Sequence, residues 1–152
     1  FPTRRSSDLR SVYWHHATSP ATDLDPDRDG CGVLWSCAAV PFDGASLLAA
    51  MNAVQDVMIA HGFDALIAVM AHQPRAMHMA PLILWDRGLP GRDALALACH
   101  AALRDAFERL GCLPYRSGIP PLDASPPSVD DHDAVMGRLR DALDPGHTLG
   151  DR

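Results

Sequence analysis

Two rhythms of apolar and polar positions run along the chain, one of period two and one near three and a half. Gly32–Val40 (GVLWSCAAV) is a short apolar run between turn residues and reads as one mostly buried strand. Pro41 to Gly44 breaks it; Asp43 is placed to cap a helix running to His61, and Gly62 supplies its stop. Within that helix Leu47, Leu48, Met51, Val54, Met58 and Ile59 follow the spacing of one buried face. Phe63–Ala71 and Met77–Trp85 read as the second and third strands, with His72-Gln73-Pro74-Arg75 as a hairpin turn. Pro81 lies inside the third strand, and its missing N–H predicts an edge position or a bulge. Arg92–Leu110 is the longest helix, ended by Gly111, with Leu95, Ala98, Cys99, Ala102, Leu103, Ala106, Phe107 and Leu110 as its stripe. Tyr115–Ile119 suggests a short fourth strand and Ser117–Ser128 a proline-rich loop. Asp131–Leu143 is a last helix, with Val135, Leu139 and Leu143 inward and Pro145 closing it. The order strand, helix, strand, strand, helix, short strand predicts an α+β fold: a ferredoxin-like antiparallel sheet with helices on one face.

The length of 152 residues suits one domain with its own core. Asp and Glu number 19 against 13 basic residues, a formal net charge of −6 that would repel nucleic-acid phosphate. All 13 basic residues are Arg, which excludes a Schiff-base lysine, a P-loop lysine and an amine base. Cys31, Cys37, Cys99 and Cys112 form no CxxC or zinc spacing and read as small hydrophobes in a reducing compartment. No apolar run approaches the roughly 18 residues of a membrane span, and no signal-peptide pattern opens the chain, so a cytoplasmic protein without a membrane partner is expected. Phe1–Leu9 (FPTRRSSDL) resembles translated sequencing-adapter read-through. The expectation is that the natural protein begins upstream and that residues 10–150 form the domain.

Candidate chemistry is sparse. The chain has no phosphate-binding glycine loop, nucleophile elbow or HExxH. His72 and His78 stand in and after the hairpin turn without a third ligand at metal spacing, and DPDRDG lacks the downstream Glu of a calcium loop. Tyr115 and Arg116, directly after the long helix in GCLPYRSGI, are the pair to single out. Arg brings fixed charge and forked donors and Tyr a further donor, a receptor for a phenolate or a carboxylate. Alternation along an extended segment would point the two apart unless the chain bends, which leaves a packed Tyr and a surface Arg as the plainer alternative.

From Arg10 to Leu149 the chain resembles the C-terminal half of the vanillyl-alcohol oxidase and 4-cresol dehydrogenase (p-cresol methylhydroxylase) family of FAD-linked oxidases. The segments that carry the resemblance are DPDRDGCGVLW, PFDGA, PRAMHMAPLILWDR, ACHAALRDAFERLGCLPYR and RLRDALDPGHTL, in that order. The resemblance implies a cap, or substrate, domain over the flavin ring, with the FAD diphosphate held mainly by a separate N-terminal domain. It implies that Tyr115 and Arg116 bind a phenolic oxygen as phenolate, that His78 serves as a hydrogen-bonding or proton-relay group, and that Trp35 lines the cavity. Its implied partners are a phenolic substrate, the flavin domain of the same chain, and a second copy or a cytochrome that takes electrons. As a fragment the chain is expected to be inactive.

The sequence also departs from the family pattern. An acidic residue of the cresol branch falls near Ala68 or Val69, both apolar, and the family ending is replaced by GHTLGDR. Tyr13, His15, His16 and Cys31 are the nearest candidates for covalent attachment of FAD, with no basis for choosing among them. Two alternatives stand beside the phenol reading: a cap of a 2-hydroxy-acid flavin oxidase, in which Arg116 takes a carboxylate, and a stand-alone ferredoxin-like binding module.

Overall fold

A computed structural model describes residues 10–16, 22–114, 131–146 and 148. The chain divides into two units, Phe1–Arg116 and Ser117–Arg152. The first unit contains strands β1 (Cys31–Trp35), β2 (Ala38–Pro41), β3 (Leu66–Gln73), β4 (Ala76–Asp86) and β5 (Leu113–Pro114), and helices α1 (Gly44–Ala60) and α2 (Arg92–Arg109). The second contains α3 (Asp131–Leu143), at the bounds the sequence predicts.

All strand pairs are antiparallel, and β4 is the central strand. β3 lies along one side of it, β1 and β2 along the other, and β5 beyond β2. β1 and β2 share one register against β4, from Cys31 opposite Asp86 to Pro41 opposite Ala76. The predicted strand over 32–40 is therefore one line of chain interrupted at Ser36 and Cys37. Taken as one strand, it completes the ferredoxin-like order.

Pro81 explains the interruption and corrects an expectation. It sits in the central strand, not at an edge or bulge, and the bulge of the β3–β4 pairing falls between Ala71 and Gln73 instead. Ser36 N–H donates to the Pro81 carbonyl at 3.1 Å, so the side of Pro81 that lacks a donor faces Ser36. In an antiparallel ladder such a pair would exchange two bonds, and only one forms. The gap thus falls on the β1–β2 line, while β3 keeps its pairing past Pro81.

The helices cover one face. Val40, Met79, Ile83 and Trp85 from the sheet pack with Ala50, Val54 and Met58 of α1 and Cys99, Leu103 and Phe107 of α2. Asp43 Oδ1 accepts from Ser46 N–H at 2.8 Å, the predicted cap of α1. Leu48, Met51 and Ile59 are exposed, against the expected stripe; the buried positions are Ala50, Val54 and Met58, with Leu47 and Val57 beside them. α1 is apolar on two flanks, and the flank carrying Ala50 packs inward because its short side chain admits close approach. Ala98 and Leu110 of the predicted α2 stripe are likewise exposed, and Ala96 takes a core position. Val135, Leu139 and Leu143 of α3 are exposed, not inward; their unit has no other described element for that stripe to pack on. Cys31, Cys99 and Cys112 are buried and Cys37 half-buried, and none of the four is in a disulfide.

Trp85 anchors the covered face at its upper end. Its ring lies over Gly32, where an added Cβ would collide with the ring carbons. Its Nε1–H donates to Asp93 Oδ1 at 2.6 Å, which ties β4 to the first turn of α2. No described helix is long and apolar enough to cross a membrane.

Candidate functional site

Among the described residues of the first unit, neither α1 nor α2 lies on the opposite face of the sheet. Side chains alternate between faces along a strand, so His78, Ala80, Leu82 and Leu84 of β4 turn away from the helices. Their cross-strand partners in register share that face: Trp35 and Leu66 opposite Leu82, Ala68 opposite Ala80, Met70 and Ala39 opposite His78. Trp35 is 54% exposed and Met70 50%, although both stand on strands paired to the central β4. An exposed apolar face of this kind marks a surface made to meet something else.

Toward one end this face deepens into an open hollow of about 310 Å³. Ala68 and Ala80 are two small residues directly opposite each other at its floor, with Leu66, Leu82 and Leu84 around them and Trp35 and Trp14 as walls. Among the described residues that line the hollow, Ser11 contributes the one aliphatic hydroxyl and none is charged.

Trp14 arrives on a short 3-10 turn, Ser11–Tyr13. Its Nε1–H donates to Asp64 Oδ2 at 3.2 Å, and His15 Nε2 lies 3.1 Å from the same oxygen. The turn is pinned from below by Tyr13, whose buried hydroxyl donates to Asp29 Oδ2 at 2.6 Å. Arg28 Nε donates to Asp29 Oδ1 at 2.9 Å. Burial, and then the Asp29 carboxylate, push the Tyr13 hydroxyl up to about 12. Arg28 and Tyr13 hold the Asp29 carboxyl down at about 2. Asp23 and Asp29 of the acidic loop both pair with Arg28, and the described residues contain no cluster of metal-ligating side chains.

Among the candidates for flavin attachment, Tyr13 is buried with its hydroxyl engaged, and Cys31 is buried with its thiol pushed up by burial and by Asp29 and Asp86. Neither presents a reactive nucleophile. His15 meets Asp64, and His16 Nε2 lies 2.5 Å from the Asp29 carbonyl.

Of the site residues named from the sequence, the structure brings Trp35 and His78 to one face, four positions apart along β4 by register (Trp35 lies opposite Leu82). At roughly 3.3 Å per residue this is about 13 Å. His78 is half-buried. Tyr115 and Arg116 lie outside the described residues, as do the predicted strand 115–119 and the loop 117–128. The residues before them are placed: Leu113 pairs with Ala39 and Pro114 with Ala38, and Ala39 lies opposite His78 on its other side.

Sequence reasoning did not single out Trp14, Leu66, Ala80, Leu82 or Leu84. The available signal was that both parities of the third strand, from Met77 to Trp85, are largely apolar, the mark of a strand covered on both faces. It also passed over His100, half-buried on α2, whose ring takes a hydrogen bond with the Trp35 backbone at the strand interruption. Burial, and then Arg104, hold its pKa below the ordinary histidine value.

The lining suits an apolar or aromatic group. A flavin ring or a substrate ring fits such a surface, whereas the described lining offers no charged group for a diphosphate.

No protein-family profile matches the chain. A curated relative, 1'-carboxy-chondrochloren decarboxylase of Chondromyces crocatus, is 37% identical over 142 residues, which cover 93% of this chain and 26% of that protein. Among solved structures, p-cresol methylhydroxylase with substrate bound matches with a TM-score of 0.62 and 25% identity, over 75% of this chain and 22% of that one. The chain thus spans about a quarter of the length of each. It shares its antiparallel α+β fold with p-cresol methylhydroxylase and is similar in sequence, through nearly its whole length, to a second enzyme.

Proposed function

We propose that residues 10–150 are the cap domain of an FAD-dependent oxidoreductase that oxidises para-substituted phenols, with the FAD diphosphate held by another domain of the same protein. The observation that carries this reading is the helix-free apolar face, with Trp35 and His78 on it, in a chain that shares its fold with p-cresol methylhydroxylase.

The chemistry that FAD supplies when bound is acceptance of a hydride from substrate carbon. The part of this chain is to prepare that carbon. Arg116 and Tyr115 hold the phenolic oxygen as phenolate, lowering its pKa by charge and hydrogen bonding. The electron-rich ring then releases hydride from the para benzylic carbon and becomes a quinone methide. Water adds to that carbon, and its proton leaves through His78. Trp35 keeps the ring on an apolar surface and excludes bulk water. Leu113 and Pro114 lie beside Ala39 and Ala38, and Ala39 lies opposite His78, so the described end of this segment reaches the strand next to His78.

The test uses the whole reading frame from the source DNA, purified with its flavin and mixed with substrate under anaerobic conditions. A 4-alkylphenol is expected to bleach the flavin's visible absorbance, and a 2-hydroxy acid to leave it unchanged. The reverse pattern would overturn the phenol assignment.

A second reading rests on the name of the 37% identical relative, a decarboxylase acting on a carboxylated compound. Here the substrate carries a carboxylate that leaves as carbon dioxide. Release of carbon dioxide from a carboxylated phenol, in step with flavin bleaching, distinguishes it from simple hydroxylation.

A further inference from the structure

The helix-free row of β4 changes character along its length. It runs from His78, through Ala80, to Leu82 and Leu84, with successive members about 6.6 Å apart. The His78 end is flanked by Ala39 and Met70, and through Ala39 by Leu113, next to the chain that leads to Tyr115. The other end is the hollow, apolar apart from the Ser11 hydroxyl and the indole N–H groups. The hollow exists because Ala68 and Ala80 face each other in register where larger side chains would meet. An ionised group placed there would lose its hydration with no charge to offset the loss.

We propose that the hollow over Ala68 and Ala80 is the specificity pocket for an uncharged alkyl or aryl substituent longer than methyl, carried by a ligand whose polar head lies toward His78. The size of the substituent is then set by two alanines, and its lack of charge by the lining. This rests on the phenol reading for the nature of the head, and on the hollow itself for the tail.

The experiment uses the chain as it is. Two-dimensional proton–nitrogen spectra follow the three indole N–H signals, assigned with Trp14→Phe and Trp35→Phe, during titration with 4-methylphenol, 4-propylphenol and propylbenzene. Trp85 serves as an internal reference, because its N–H is held by Asp93 on the covered face. 4-Propylphenol is expected to shift the Trp14 and Trp35 signals saturably and to bind about tenfold more tightly than 4-methylphenol, the return on burying two further methylenes. Ala68→Leu and Ala80→Leu, which fill the floor, are each expected to erase that tenfold preference while the Trp85 signal stays in place. Equal affinity for the two phenols, or a preference that survives both substitutions, would overturn the pocket. Propylbenzene separates the two ideas. Binding at the indoles without help from the hydroxyl supports the pocket and counts against the phenol head; phenol binding without dependence on length does the opposite. Failure of every probe to move Trp14 and Trp35 contradicts the pocket.

Discussion

The two faces of the sheet are built from the same strands and have opposite fates. On β4, Met79 and Ile83 are fully buried beneath α1 and α2, whereas His78 and Leu82, one residue away from each, lie on the face that neither of these helices covers. The covered face is filled with interlocking side chains, among them the Trp85 ring seated over a glycine. The other face has an alanine pair at its floor and two indoles standing open. The first face is occupied by its own chain, and the second is shaped to be occupied by something else.

Substitutions that treat the faces differently test that contrast. The largest effect is expected from Ile83→Ala, which removes a fully buried side chain and should destabilise the fold by about 2–5 kcal/mol. Leu82→Ala, its neighbour on the open face, should cost less than about 1 kcal/mol by the same denaturant titration, because no packed core surrounds it. Equal losses would erase the distinction. Gly32→Ala drives a Cβ into the Trp85 ring and is expected to cost about 1–3 kcal/mol, read as a lowered melting temperature. Asp43→Ala removes the cap of α1 and should cost about 1 kcal/mol.

The smallest effects concern the pin beneath Trp14. The Asp29 carboxyl is held at about 2 in the folded chain, so its contribution is present above the ordinary value of 3.8 and is lost as pH falls toward 2. The Tyr13 hydroxyl is raised from 10.0 to about 12, so its contribution is present below 10 and lost as pH rises toward 12. Tyr13→Phe should flatten the alkaline limb of a plot of melting temperature against pH. An unchanged alkaline limb would mean that the hydroxyl does not hold the turn.

Much of this was legible in the sequence. Asp43 and Gly62 bound α1 because caps and stops act through local backbone chemistry. The Gly32–Val40 run was legible as one strand for the same local reason. The position of Pro81 was not, because a missing N–H excludes only one side of a strand, and which side is empty depends on the register with Ser36. The exposed row of Leu48, Met51 and Ile59 shows a second limit: a helix apolar on two flanks does not reveal which flank packs. At the site, Trp35 and His78 could be named from resemblance, since each sits in a matching segment. The hollow could not, because it is made by a cross-strand pair of alanines, residues that carry no chemical signal until the strands are laid side by side.

The central claim is that the helix-free face is the substrate face of a flavin-dependent enzyme. The most direct measurement is the rate at which hydroxylated product forms after a 4-alkylphenol has reduced the flavin in the complete protein, compared with its His78→Ala variant at matched melting temperature. A fall of roughly a hundredfold or more, without loss of stability, is the predicted result. An unchanged rate at saturating phenol would contradict the account.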